Sequence, residues 1–253
     1  MPQSEIANTE NSTIDIFISP EVRLLLKKLS RSSQPIGTIC YIRQCIKTGD
    51  DGRFVKNAEI QPGKEWKRSL RGRSIERYSV GETNLWVKYG PWLARNWQNK
   101  SFYEVEKLAV RETGARMIAT LDRDNRYFLS SLYSVYPKEQ KSYSLRYLLG
   151  LVNSTFATWF VHLVAFGLTA GAFTKIRTNQ LARLPIRYID PADRSDTALR
   201  DKLVENVDRI LAAKRRNPEA HTTAFEREID ELIYTLYGLT PEEIKLVEAN
   251  SAK

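Results

Sequence analysis

The side chains best suited to chemistry are arginines in one short segment, "LRGRSIERY" at residues 70–78. Arg71, Arg73 and Arg77 share it with a glycine, which lets the backbone approach a ligand closely. A guanidinium forks onto two phosphate oxygens, or onto O6 and N7 of guanine. The basic residues of the wider segment 64–77 are Lys64, Lys67, Arg68, Arg71, Arg73 and Arg77. This density predicts contact with nucleic acid; the alternative is a solvated loop.

Two further clusters are candidates for the same surface. Arg111 and Arg116 flank a Thr113–Gly114 turn, from which both could reach one ligand. Lys175 and Arg177 precede a run of Thr, Asn and Gln, whose side chains donate to phosphates or read base edges. The cluster at Lys175 and Arg177 is equally compatible with a turn packed on the apolar helix.

A turn rich in Gly and Asp, "CIKTGDDGRF" at residues 45–54, supplies another candidate. Lys47 and Thr48 on this loop are placed to touch a backbone phosphate. The structural alternative is a plain connection between two strands.

Composition favours a polyanionic partner. Lys and Arg total 39 against 30 Asp and Glu, which gives a net charge of +9 and a pI near 9.5. Such a balance draws a protein to nucleic acid or to an anionic membrane surface. Cys40 and Cys45 are too few for a disulfide framework or, with His162 and His221 distant in sequence, for a zinc site. We expect reduced thiols, no metal and a cytoplasmic location.

The chain lacks the motifs of most catalytic sites. It has no Gly-x-Gly loop for a dinucleotide or S-adenosylmethionine, no phosphate loop and no adjacent prolines. One pattern leaves an enzymatic alternative open: Glu65 and Lys67, with Asp50 or Asp51 upstream, fit the outline of a Mg²⁺-dependent nuclease. The leading prediction is no catalytic residue and no cofactor in this chain.

The elements that must position these residues indicate an α+β fold. Residues 1–18 are polar and predict a disordered lead. A capped amphipathic helix follows at 19–31, and short β-rich runs between 36 and 136 predict six to eight strands. Residues 144–166 predict one buried apolar helix rather than a membrane span, because Asn153, Thr158 and His162 interrupt it. We predict a domain over 19–190 and a helical tail, for packing or docking, over 191–253.

Six segments in this order resemble one known family. The segments are "IKTGDDGRFV", "LRGRSIERY", "KLAVRETGARMIATLD", "LLGLVNSTFATWF", "FTKIRTNQLARLPI" and "IDELIYTLYGLTPEEIKLVE". They resemble the TaqI-like C-terminal specificity domain of adenine-N6 DNA methyltransferases and fused restriction–modification enzymes, from about residue 20 to 250. Cys45 stands where that family usually has glycine, and Ser74 stands where it generally has aspartate.

The resemblance implies a target-recognition domain that forms one wall of a double-stranded DNA cleft. A separate catalytic domain or subunit would bind S-adenosylmethionine and methylate the flipped adenine. By position, the resemblance carries DNA contacts onto Lys47, Thr48, Arg71, Arg73, Arg77, Arg111 and Thr113. The alternatives are the nuclease named above and a structural assembly subunit whose basic face is incidental.

Overall fold

The computed structural model describes residues 18–81, 84–139, 143–166 and 175–249. The predicted disordered lead therefore lies almost wholly outside the described residues. Helix α1 (Pro20–Ser32) begins where the sequence predicts, because the Ser19 hydroxyl accepts a hydrogen bond from the backbone N–H of Val22 and proline occupies the first helical position. Its apolar face is buried, with Val22, Leu25 and Leu29 in the core.

Strands and short helical turns alternate through the next hundred residues. They are β1 (Ser33–Pro35), α2 (Ile36–Ile39), β2 (Cys40–Gln44), α3 (Asp51–Phe54), β3 (Val55–Asn57), β4 (Trp66–Leu70), a 3-10 turn (Gly72–Ser74), β5 (Ile75–Glu76), β6 (Ser79–Val80), β7 (Leu85–Lys88), a second 3-10 turn (Lys100–Phe102), β8 (Lys107–Arg111), β9 (Ala119–Asp122), β10 (Tyr127–Phe128) and β11 (Leu132–Pro137). Strands outnumber the six to eight predicted, because several are only two residues long and carry no readable alternation.

Two four-stranded sheets organise this region. One has the order β2-β11-β8-β9 and is antiparallel throughout. The other has the order β10-β4-β7-β3, with β10 parallel to β4. Isolated bridges at Ile46–Leu129 and Lys47–Arg95 continue from the end of β2. The loops after β2 and around β10 are therefore held side by side.

The apolar segment is two helices, not the single helix that the sequence predicts. Helix α4 (Leu145–Asn153) and helix α5 (Thr155–Phe166) meet at Ser154 with a bend of 69°. The Ser154 hydroxyl donates to the Leu151 carbonyl and accepts from the Ala157 N–H, so it ends one helix and caps the next. No single described helix is long and apolar enough to span a membrane; this bent pair passes by length and composition alone.

A short helix, α6 (Thr178–Leu181), and strand β12 (Pro185–Arg187), which pairs with β1, lead into the predicted helical tail. The tail comprises α7 (Arg194–Arg216), α8 (Thr223–Leu236) and α9 (Pro241–Ala249). Gly150 lets α4 and α7 approach closely, since a Cβ there would lie 2.7 Å from Leu203 Cδ2. Tail and sheet share one hydrophobic core, so burial continues across the predicted domain boundary near residue 190.

Candidate functional site

The loop after β2 is built by its own side chains. The Thr48 hydroxyl donates to the Asp51 carboxylate, and Asp50 caps α3 by accepting from the Arg53 N–H at 3.1 Å. Gly49 has φ of +83°, a conformation that glycine adopts without strain. Thr48 is buried, so its hydroxyl supports the turn, whereas Lys47 is exposed. A ligand contact by Lys47 or Thr48 stays a prediction.

This loop and the arginine segment line one cleft of about 440 Å³. Its polar lining residues are Lys47, Thr48, Asp51, Arg71, Ser130 and Ser131. Arg71 Nη2 lies 3.8 Å from Asp51 Oδ2, which is a loose ion pair, and its Nε is buried without a hydrogen-bond partner. A buried N–H donor without an acceptor is costly. The Arg71 side chain as a whole is partly exposed, so its guanidinium can bind an anion in the cleft.

Gly72 fixes the arginine segment against the end of β8. Its N–H donates to Ser131 Oγ at 2.8 Å, and a Cβ at this position would lie 3.3 Å from the Ser131 carbonyl oxygen and 3.5 Å from Arg111 Cγ. Arg111 donates to the Ile75 carbonyl oxygen and to Glu76. Arg71 and Arg111 therefore lie on the two sides of one 3-10 turn.

The clusters predicted near residues 113 and 175 are joined. Thr113 and Lys175 form an isolated antiparallel bridge, and Lys175 Nζ lies 2.8 Å from Glu112 Oε1. Glu112 N–H donates to the carbonyl oxygen of Ser131, which lines the cleft. We call the set Lys47, Thr48, Arg71, Arg73, Arg111, Thr113, Lys175 and Arg177 the cleft surface. Arg73 and Arg177 on it are exposed and have no ion pair within the described residues.

Four predicted residues lie elsewhere. Arg77 Nη2 lies 2.6 Å from Glu226 Oε2 on α8, so it binds the helical tail. Arg116 is exposed, although partial burial of its guanidinium lowers its pKa. It also interacts electrostatically with Arg77, Glu226 and Asp230. Lys67 and Arg68 alternate along β4 to opposite faces. Lys67 Nζ lies 5.9 Å from the Tyr127 ring centroid, and Arg68 Cζ lies 5.5 Å from that of Trp86.

The two departures from the resembled family have local structural roles. The Ser74 hydroxyl accepts from the backbone N–H of Arg71 at 3.3 Å and so closes the 3-10 turn. Cys45 is buried, and burial raises the pKa of its thiol to about 12. Arg95 donates to the Cys45 carbonyl through Nε and Nη2, at 3.2 and 3.1 Å, and thereby holds the loop without a glycine at 45.

Sequence reasoning missed the partners that complete the cleft. The sequence suggests Asp51 only as a metal ligand, and it gives no signal for Ser130, Ser131 or Arg95. Arg95 lies 50 residues from Cys45, and no short-range pattern signals such a contact. No group of three or more His, Cys, Asp or Glu side chains suited to a metal occurs in the described parts of the chain. Glu65, the proposed nuclease acid, instead lies 3.3 Å from Lys88 Nζ.

Comparison with known proteins confirms the resemblance over the middle of the chain. Residues 67–186 match the family model of the TaqI-like C-terminal specificity domain. These residues, just under half of the chain, are therefore similar to that specificity domain. The match is narrower than the span from 20 to 250 inferred from the sequence, and it excludes the loop at 45–54 and the tail. No curated protein matches the chain.

Solved structures with a related arrangement include the type IIL restriction–modification enzyme MmeI in complex with DNA, at 13% identity and a TM-score of 0.51 over 86% of this chain and 35% of that one. The type IIG restriction endonuclease BpuSI matches at 13% identity, TM-score 0.48, over 85% and 33%. The HsdS subunit of Thermoanaerobacter tengcongensis matches at 12%, TM-score 0.38, over 85% and 50%. The likeness to MmeI shows a shared fold, and this chain spans half or less of each of these structures.

Proposed function

We propose that this chain reads a DNA sequence for a restriction–modification or DNA-methyltransferase system and performs no catalysis alone. The observation that carries the proposal is the cleft surface. There the loop at 47–51, the arginine segment at Arg71 and the turn at 129–131 line one cleft. The specificity-domain match at 67–186 covers two of these three elements.

The chemistry of the cleft surface fits a DNA duplex. Exposed Lys47, Arg73 and Arg177 would neutralise phosphates, and Arg71 has the fork that binds a phosphate or a guanine edge. Ser130 and Ser131 add hydroxyl groups that donate or accept. Such a mixture positions the protein on the backbone and leaves a few side chains for bases.

The partner in this proposal is an adenine-N6 methyltransferase catalytic domain or subunit, which would hold S-adenosylmethionine. The resemblance supports it, and the chain contributes no cofactor loop of its own. A bacterial type II system and a cytoplasmic location belong to the same proposal. Neither the Mg²⁺ nuclease nor the purely structural subunit is favoured by an observation. Asp50 and Asp51 bond within their own loop, and Glu65 pairs with Lys88.

A duplex-binding assay with salt titration tests the proposal. We expect the logarithm of the association constant for a labelled duplex to fall linearly with the logarithm of the salt concentration. The slope should be about −0.9 for each phosphate contacted. Arg71→Ala should weaken binding and flatten the slope, whereas Arg227→Ala, which removes an exposed arginine of α8, should not. Absence of binding at low salt, or an affinity that does not depend on salt concentration, would refute the proposal. Sequence preference should be measured with the methyltransferase partner added.

A further inference from the structure

A second basic groove, which shares no lining residue with the cleft, lies between the sheet region and the helical tail. Its volume is about 930 Å³. One wall comes from β6 and from the turn after β9, including Arg123 and Arg126; the other comes from the C-terminal half of α7 and residues just beyond it, including Lys214, Arg215 and Arg216. We call this feature the tail groove. None of these residues was a candidate from the sequence.

The tail groove is strongly positive. Five basic side chains line it, against the two acidic side chains of Asp124 and Asp208. Asp208 is engaged by Arg146 at 2.5 Å, and Asp124 lies 2.5 Å from Arg126. Acidic side chains therefore neutralise more of the positive charge of Arg123 and Arg126, on the sheet side, than of the cations at the end of α7.

Arg215 and Arg216 carry most of the uncompensated charge. Both are exposed, and neither makes an ion pair within the described residues. Lys214 donates to the Pro218 carbonyl oxygen at 3.0 Å and so completes the helix end. Cations in the last turn also complement the helix dipole. On the opposite wall, Arg123 pairs with Glu106 at 2.9 Å and Arg126 pairs with Asp122 at 3.0 Å, so the helix side carries the free charge.

The geometry favours an extended polyanion over a single small anion. Cations stand on two walls of an open groove, and four of the five are arginines, which match phosphate oxygens in a forked geometry. A protein partner would need apolar anchors for its affinity. The larger aliphatic side chains here, Val80, Leu121 and Leu211, are already partly covered by the core.

The tail groove is within reach of a duplex in the cleft. The segment 71–80 contributes Arg71 to the cleft and Tyr78 to the groove. Seven residues of chain span at most about 25 Å, and one turn of duplex DNA is about 34 Å long. One duplex turn is therefore long enough to face both features.

We propose that the tail groove binds the phosphodiester backbone of the duplex whose bases face the cleft surface. The inference rests on the proposed function and extends it to the helical tail. In that role the tail adds affinity without sequence information, since phosphate contacts are the same for every sequence.

The double variant Arg215→Ala/Arg216→Ala tests this inference. Its matched control is Arg227→Ala/Lys245→Ala, which removes two exposed tail cations outside the groove. Binding of a labelled duplex should weaken about 5- to 50-fold in the groove variant, and the salt slope should flatten by about one to two units. The loss should be equal for two unrelated sequences, while the control should match wild type. Circular dichroism should show unchanged helix content.

The outcomes separate the two proposals. If wild type binds no duplex, the proposed function fails and the tail-groove inference falls with it. If wild type binds with a steep salt slope but the groove variant equals the control, only the tail groove is refuted. Retained duplex binding together with lost binding of a poly-glutamate peptide would also overturn the inference and assign the groove to an acidic protein segment. Recovery in Arg215→Lys/Arg216→Lys would support it.

Discussion

The two ends of "LRGRSIERY" face different partners, although they carry the same kind of side chain. Arg71 lines the cleft, and its contact with Asp51 at 3.8 Å is a loose ion pair. Arg77, six positions later, makes a tight ion pair with Glu226 of the helical tail. The first arginine is available to a ligand, and the second holds two parts of the molecule together. Arginine density in a sequence therefore overstates the number of ligand contacts.

A turn explains how the segment divides. The 3-10 turn at Gly72–Ser74 redirects the chain, and Tyr78 has a positive φ of +62°, which is uncommon for a residue with a side chain. The Tyr78 N–H donates to the Ala119 carbonyl oxygen at 2.9 Å, so the end of the segment is anchored on β9. Arg77 lies just before this anchor and faces α8.

The largest effect is expected when the charge at the cleft end is reversed. Arg71→Glu should weaken duplex binding by about 100-fold, because it removes one phosphate contact and adds repulsion beside Asp51. Anisotropy titration at fixed low salt measures this loss. Thermal unfolding should change little, since the arginine's only ion pair within the described residues is long. An affinity within twofold of wild type would exclude Arg71 from the interface.

The opposite result is expected at the tail end. Arg77→Ala should lower the free energy of unfolding by about 2 kcal/mol, because both side chains of its ion pair are mostly buried and Glu226 would be left without its partner. Urea denaturation measures this change, and a cycle with Glu226→Gln isolates the pair. Duplex affinity of the folded variant should equal that of wild type. A large affinity loss with normal stability would place Arg77 in the interface instead.

Local features of the fold were predictable because their partners lie within a few residues. The cap of α1 at Ser19 occurs where the sequence predicts, and the Thr240–Glu243 capping box of α9 and the positive φ of Gly238 are equally local features. At the start of α8, the Thr222 hydroxyl donates to the Glu226 carboxylate at 2.8 Å. Each of these features is decided by contacts of four residues or fewer.

Features that depend on distant partners were not predictable. Nothing near Arg77 in sequence shows that Glu226 lies beside it, and the buried pair of Lys107 and Asp122 reads as surface charge until β8 and β9 are aligned. The break at Ser154 was also missed, since an apolar run hides one serine whose hydroxyl caps a helix. The sequence therefore predicted basic residues for the site, but it did not predict which individual arginines line the cleft.

A smaller, pH-dependent effect is expected at Asp230, near the tail end of the segment. Asp230 accepts from the N–H and hydroxyl of Thr155, but burial outweighs these bonds and the neighbouring Arg77 and Arg116, so its pKa is raised. The folded protein therefore holds this proton more tightly than the unfolded chain. Relative to Asp230→Asn, wild-type stability should fall as pH rises from the ordinary aspartate value of 3.8 to the raised pKa. Parallel stability curves for the two proteins would contradict a raised pKa.

The smallest effect is expected inside the turn that separates the two arginines. Ser74→Ala removes the hydroxyl that accepts the Arg71 N–H, and a lost cap of this kind costs about 0.5–1 kcal/mol. Ser74→Asp, which introduces the residue usual in the resembled family, keeps an acceptor and should restore that stability. It should also weaken duplex binding a few-fold, because a carboxylate next to the cleft opposes phosphates. If Ser74→Asp instead tightened binding, the acid would be reading a base donor, and the turn would belong to the recognition surface itself.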